Sequence, residues 1–475
     1  MNVQTAGDDV PALPRTLGTL DIVLLNIAAI VALRWLSVAA RTGPSSLILW
    51  TLGMITFFLP SALTVLELSS RLPGEGGIYI WSKAAFGDLH AFLVGWAYWI
   101  ANLVFFPSLL IFIAGVFVYV PGGSWVALSE NSTYNTIFCV TILWLTVLLN
   151  VIGLKRAKWL QNVGGIATGV VGALVLGAGG LAWHRFGSAT SMNAEALKPD
   201  LSTLATLNSF ATMAFAYSGL ELGPILGGEI KNPRRTIARA MLISVALIPL
   251  IYIIGTAAML AALPWRQINL IGGIPQALQA VGARVGVPYF GRIASALLTL
   301  SQIGTLGAWI TGTARLPFLF GLDRYLPRAL ATVHPRFGSP YIALVTQGLI
   351  TTVILLGATS TSGIHEAYAL LIDLSIILVF IPLLYMFAAL PMLRRHDRST
   401  HEPGITVIPG GPVACWLVAG SGMAVTALGV VVATVPPVFS VNHTLFSLKV
   451  VGGSLTLLAV GLIFYFCRPY RSLNE

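Results

Sequence analysis

Few residues of this 475-residue chain have both the type and the setting to do chemistry, and the most informative fall in Asn208–Ala240, NSFATMAFAYSGLELGPILGGEIKNPRRTIARA. An apolar helical pattern runs into Tyr217-Ser218-Gly219-Leu220-Glu221 and then Gly223-Pro224. Hydrocarbon offers no partner to an unpaired peptide group, so small, polar and Pro residues at mid-depth predict a break lined by protein or water. Glu221 sits in that break. A carboxylate within a span is costly and marks a functional site by default, for coupling or gating; the plainer reading is a hydrogen bond to the broken backbone.

A second stretch, Asn26–Ala40 (NIAAIVALRWLSVAA), sets Arg34 among apolar residues and is followed by Gly43-Pro44. An intramembrane guanidinium must find an anion. That anion is either a substrate carboxylate, such as the side chain of an acidic amino acid, or a protein carboxylate, with Glu221 and Glu67 the candidates; snorkelling to the outer surface is the third reading. Phe215 and Tyr217 near the first break line a pocket or pack helices. Trp309 has small neighbours that leave room around it. Asn102 either touches substrate or bonds a neighbouring helix. Glu67, Glu366 and Asp373 are candidate proton carriers, or partners of loop arginines.

These residues need an apolar scaffold, and composition supplies one. The chain is 56% hydrophobic and 9% charged, which describes an all-α polytopic membrane protein. Apolar runs of roughly 20 residues, enough for the hydrocarbon core, lie near 18–39, 47–70, 91–119, 134–153, 160–184, 204–228, 238–262, 291–316, 340–359, 365–391, 412–434 and 446–467. Twelve spans put both termini on one side. The segments sharing that side carry eighteen Lys and Arg against seven on the other, so both termini are expected in the cytoplasm. The net charge of +10 is thus a topology signal and calls for no nucleic acid.

The expected layout is a cytoplasmic tail at 1–14, a transporter core at 15–391 with halves 15–190 and 200–391, a cytoplasmic loop at 392–411, two further spans within 412–467, and a tail at 468–475. Those two spans read as scaffold or a dimer surface. Trp81–Gly87 reads as an amphipathic piece at the interface. Cys139, Cys415 and Cys467 fall in apolar spans and imply no disulfide framework. Asn131-Ser132-Thr133 and Asn442-His443-Thr444 match glycosylation sequons, a weak signal. Spans one and six are five apart, and interrupted segments at corresponding places in two halves point to inverted repeats around a midplane site. Channels carry rings of charge or filter repeats, and none is evident. No P-loop, HExxH or GxSxG motif points to an enzyme, and no cofactor is expected.

Four segments resemble the amino acid–polyamine–organocation (APC) transporter superfamily: RLPGEGGIYIWSKAAFG at 71–87, GWAYW at 95–99, FAYSGLELGPILGGEIKNPRR at 215–235 and LGAWITGTARLPFLFGLDRYLP at 306–327. The first span is similar to the glutamate/GABA antiporter branch. Ala29-Ile30-Val31 stands where typical members carry a Gly-Ser-Gly triplet. The resemblance implies a five-plus-five inverted repeat with discontinuous helices one and six, two extra C-terminal helices and alternating access across the plasma membrane. It implies a substrate α-carboxylate at backbone N–H groups near Ala29, Ile30, Val31 and Ala32. It implies an α-ammonium at carbonyls near Ala214, Phe215, Tyr217 and Ser218, with Trp309 lining and gating the pocket. Half-helix N-termini suit anions and C-terminal carbonyls suit cations. Exchange of acidic amino acids is one expectation; ion-coupled symport of neutral amino acids or amines is the alternative. Some proton-coupled relatives carry a Lys inside span five, and Gln161–Trp183 has no Lys or Arg.

Overall fold

The computed structural model describes residues 15–74, 76–323, 325–361, 364–396, 405–435 and 443–467. The tails at 1–14 and 468–475, Asn442 of the second sequon and the middle of the 392–411 loop lie outside them. Among the described residues the chain is helical: α1 (Thr19–Ile30), α2 (Arg34–Thr42), α3 (Ser46–Arg71), α4 (Ile78–Phe86), α5 (Asp88–Phe117), α6 (Ser132–Val151), α7 (Leu154–Phe186), α8 (Leu204–Ala216), α9 (Leu222–Ile225), α10 (Pro233–Ala262), α11 (Gly273–Val285), α12 (Phe290–Thr313), α13 (Arg315–Leu322), α14 (Tyr341–Thr361), α15 (Ile364–His396), α16 (Gly411–Val432) and α17 (His443–Phe466). Among the described residues, ten helical stretches are long and apolar enough to cross a membrane. The two apolar runs that fall short, α1/α2 and α8/α9, are the two read as interrupted.

The two interruptions have different local causes. Between α8 and α9, Gly219 adopts φ +124°, which a side chain rarely tolerates. A Cβ there would also lie 3.0 Å from Ile30 Cγ1 and 3.2 Å from the Trp309 ring, so this position is where the two breaks approach each other. Between α1 and α2 no glycine is used. Val31 takes φ −73° and ψ 67°, and the Ala32 N–H donates to the Ile30 carbonyl at 2.6 Å. That is an inverse γ-turn, whose backbone an ordinary L-residue adopts, so the helix breaks at a β-branched residue without strain.

The segment containing α1 is enclosed by α7, α10 and α12, and α8 packs on α3 and α16. Of the two C-terminal helices, α16 therefore belongs to the wall behind the second break. Gly422 and Gly429 let it approach so closely that a Cβ would meet the Phe387 and Phe380 rings. Between α4 and α5 the chain turns at Gly87; α4 packs on α5 and α15, and Trp81 within it is fully buried. Its buried side, Ile78, Tyr79, Trp81 and Ser82, docks on those helices while Ala84 on the other side is exposed. Cys139 and Cys415 are buried, whereas Cys467 ends the last helix exposed.

Candidate functional site

A cavity opens where the two breaks meet. Ala29, Ile30, Ala32 and Trp35 line it from the first segment, and Phe215, Ala216 and Ser218 from the second. Asn102, Phe105, Trp309 and Val379 complete it from α5, α12 and α15. Its atom-free space is about 380 Å³, but the part open to solvent-sized groups holds about one water. An amino acid needs its walls to move. Of the residues expected at a site, Val31, Arg34, Ala214, Tyr217 and Glu221 do not line this cavity. Tyr217 is fully buried behind it, stacked on Phe58 at 4.7 Å and edge-on to Trp50 at 5.1 Å. Trp35, Phe105, Ala216 and Val379 line it without having been singled out. Their only sequence signal is proximity to Arg34, Asn102 and the second break, or, for Val379, none.

The carbonyls bared at the breaks are partly occupied. Trp309 Nε1 donates to the Ala29 carbonyl at 3.0 Å. The Ser218 N–H and hydroxyl both donate to the Phe215 carbonyl, at 2.9 and 2.6 Å. Asn102 Nδ2 donates to Tyr98 O one turn back, at 2.7 Å, while its residue lines the cavity.

Electrostatics separate the two breaks. Glu221 accepts from the Tyr98 hydroxyl at 2.9 Å and from the Gly219 N–H at 3.1 Å. Its carboxylate thus bonds the backbone of the second break itself, at Gly219. At the first break no acid fills the matching place, and Arg34 lies there instead. Arg34 is 0% exposed, and no hydrogen bond of regular geometry reaches any of its three guanidinium nitrogens. The guanidinium stacks on Trp35 at 4.3 Å and Phe105 at 4.7 Å, both cavity walls. The Tyr368 and Tyr252 phenols are its interacting polar neighbours.

Neither expected carboxylate partners Arg34. Glu67 pairs with Arg71 at 3.0 Å and with Arg394, and accepts the Ile408 N–H at 2.9 Å. This ties α3 to α15 and to the segment before α16, which suits a structural anchor. Glu229 pairs with Arg315 at 2.6 Å, both side chains buried. Arg315 also donates to the Thr311 carbonyl at 2.7 Å. Beside that pair, Leu17 and Ile230 form a β-bridge and Gly76 N–H bonds the Ile225 carbonyl at 3.0 Å. These contacts tie the C-terminal end of the second segment to the start of α1, the loop before α4 and α13. Asp373 lies in α15 with no hydrogen bond or ion pair among the described residues, and Glu366 lies in that helix's first turn. Lys158 reaches from α7 to Asp21 of α1 at 3.2 Å. No group of His, Cys, Asp and Glu among the described residues has the arrangement to hold a metal ion.

A family model described as amino acid permease matches residues 17–456. An uncharacterized transporter of Legionella pneumophila is 28% identical over 453 residues, covering 95% of this chain and 96% of its own. An uncharacterized transporter of Mycobacterium tuberculosis is 26% identical over 376 residues, covering 76% and 80%. A glutamate/gamma-aminobutyrate antiporter of Lactococcus lactis is 24% identical over 398 residues, covering 81% and 77%.

Proposed function

The chain belongs to the amino acid permease family of the APC superfamily, membrane transporters rather than enzymes, and on that premise we propose that it exchanges amino acids across the plasma membrane by alternating access, with a preference for acidic ones. Twelve crossings result if α1/α2 and α8/α9 each count as one discontinuous span. The five-plus-five inverted repeat, cytoplasmic termini and two added C-terminal spans complete the scheme.

One observation carries the substrate preference. Arg34 is a buried guanidinium beside the cavity with no carboxylate bonded to it. An isolated charge in a low-dielectric interior is costly. Glu67, Glu221 and Glu229 are engaged elsewhere, so a carboxylate arriving with the substrate is the anion that offsets this cost. The α-carboxylate then meets the first break and the α-ammonium the bared carbonyls, leaving the side-chain carboxylate for Arg34. The Lactococcus antiporter's name, which pairs glutamate with its decarboxylated product, is consistent with this substrate class.

The test is uptake of labelled glutamate and leucine into proteoliposomes, with and without internal amino acid. Exchange predicts glutamate uptake that depends on internal substrate; no uptake of any amino acid under either regime overturns the reading. A second reading, proton-coupled symport, draws on Glu221, whose hydrogen-bond partners are neutral donors. It predicts uptake driven by an inward proton gradient with empty vesicles.

A further inference from the structure

One side chain touches both breaks at once. The Tyr252 hydroxyl, from the middle of α10, lies 2.5 Å from the Ile30 carbonyl oxygen and 3.1 Å from that of Ala216. Ile30 ends α1 and Ala216 ends α8, and both line the cavity. Carbonyls at a helix end lack intrahelical donors, and inside a membrane no lipid supplies one. A phenol has a single proton. The Ile30 carbonyl also accepts the Ala32 N–H of the γ-turn at 2.6 Å, so with the phenol its two lone pairs are used, whereas the Ala216 carbonyl has the phenol alone and retains unused acceptor capacity at the cavity wall.

The phenol is held so that it cannot turn away. Its ring stacks on Trp50 at 4.3 Å and 8°. Trp50 Nε1 in turn donates to Thr256, one turn along α10 from Tyr252, at 2.9 Å. Tyr217 packs edge-on against the Tyr252 ring at 5.4 Å, and Tyr252 is fully buried. This aromatic packing costs the site a rigid side chain whose only polar atom is aimed at the two break carbonyls.

We propose that Tyr252 is a positioning residue: by bonding Ile30 O and Ala216 O together, its hydroxyl holds the Ala216 carbonyl against the first break as an acceptor for a substrate's α-ammonium. An ammonium brings three donors, one of which fills the lone pair that the phenol leaves open at Ala216. The inference rests on the proposed function, because it needs a substrate that carries an ammonium.

Tyr252→Phe keeps the ring and its stacking and removes only the hydroxyl. The readout is affinity in proteoliposomes for L-glutamate and, by competition, for glutarate, the same chain without its ammonium. Loss of one aligned hydrogen bond is worth about a factor of ten. The expected result is roughly tenfold weaker glutamate with unchanged glutarate and an unchanged melting temperature. Equal weakening of both, or none of either, overturns the inference. If Tyr252→Phe does not fold, Thr256→Val, which frees Trp50 from α10, is expected to weaken glutamate selectively but less, and an equal effect on glutarate overturns the inference. If wild-type protein ignores glutamate but takes up leucine, the acidic preference fails and the same comparison is run with leucine and isocaproate. Uptake of no amino acid by the wild type sinks the proposed function itself and this inference with it.

Discussion

Tyr98 donates its hydroxyl proton to Glu221 across 2.9 Å, joining the long helix α5 to the break between α8 and α9. Both groups are fully buried. A buried carboxylate held by neutral donors alone changes charge at lower cost than one locked to a cation, because no partner is left stranded when it takes up a proton. The pair therefore joins a candidate proton site to the cavity wall, since Tyr98 stands 6.4 Å from Trp309 between ring centroids.

Glu221→Gln keeps the shape and one acceptor oxygen and removes the charge. If a proton on Glu221 drives accumulation, this variant loses gradient-driven uptake while exchange between labelled and internal substrate continues. Parallel uptake measurements with a pH gradient and with counterflow check this. Tyr98→Phe leaves a buried acceptor without its donor, a loss of about 1–3 kcal/mol, and is expected to lower the melting temperature.

Arg34 gives a prediction of opposite sign. Removing one partner of a buried ion pair strands the other charge, but Arg34 faces neutral phenols and two aromatic rings, so its removal strands none. Arg34→Met is expected to match or exceed the wild-type melting temperature without substrate and to lose the stabilisation that added glutamate confers. Leucine-dependent behaviour stays as it was. Thermal melts with and without each amino acid check this; a large drop in stability without substrate means that Arg34 holds the fold together instead.

The Glu229–Arg315 pair ties the C-terminal end of the second segment to α13, at 2.6 Å with both side chains buried. Taking one partner away costs about 3–5 kcal/mol, whereas replacing both by apolar residues is close to neutral. Glu229→Gln is thus expected to lower stability sharply and Glu229→Leu with Arg315→Met to recover most of it. A double-mutant cycle in melting temperature measures the coupling. If the pair also acts as a gate, the double replacement folds but transports with altered turnover.

Lys83 in α4 supplies the pH dependence. Burial works against its charge, but the Asp323 carboxylate at 2.8 Å outweighs that and holds its pKa above the usual Lys value. A group with a raised folded pKa contributes stability in full below its unfolded pKa and loses it as pH rises through the folded one. The α4–Asp323 contact is therefore intact at neutral pH and weakens only above the ordinary Lys value of 10.5. Melting temperatures of wild type and Lys83→Met are expected to differ at pH 8 and to converge above that range.

What the sequence determined by itself is the scaffold and the places where it breaks. Runs of apolar residues long enough for hydrocarbon are set by solvent, not by neighbours, so ten of them are helices in the folded chain. Tyr217–Glu221 and Gly223-Pro224 contain their own breaking signals, since Gly219 alone accepts φ +124° there. The first break was legible from Arg34 and small residues, although its γ-turn at Val31 uses no residue that advertises one. Only the tertiary structure decided which polar groups meet. Sequence offered Glu67 and Glu221 equally as partners for Arg34, and packing gave the first to Arg71 and Arg394 and the second to Tyr98. Tyr252 lies 222 residues from Ile30, whose carbonyl it reaches. Partner choice across helices depends on how they cross and rotate, which neither composition nor periodicity along one segment encodes.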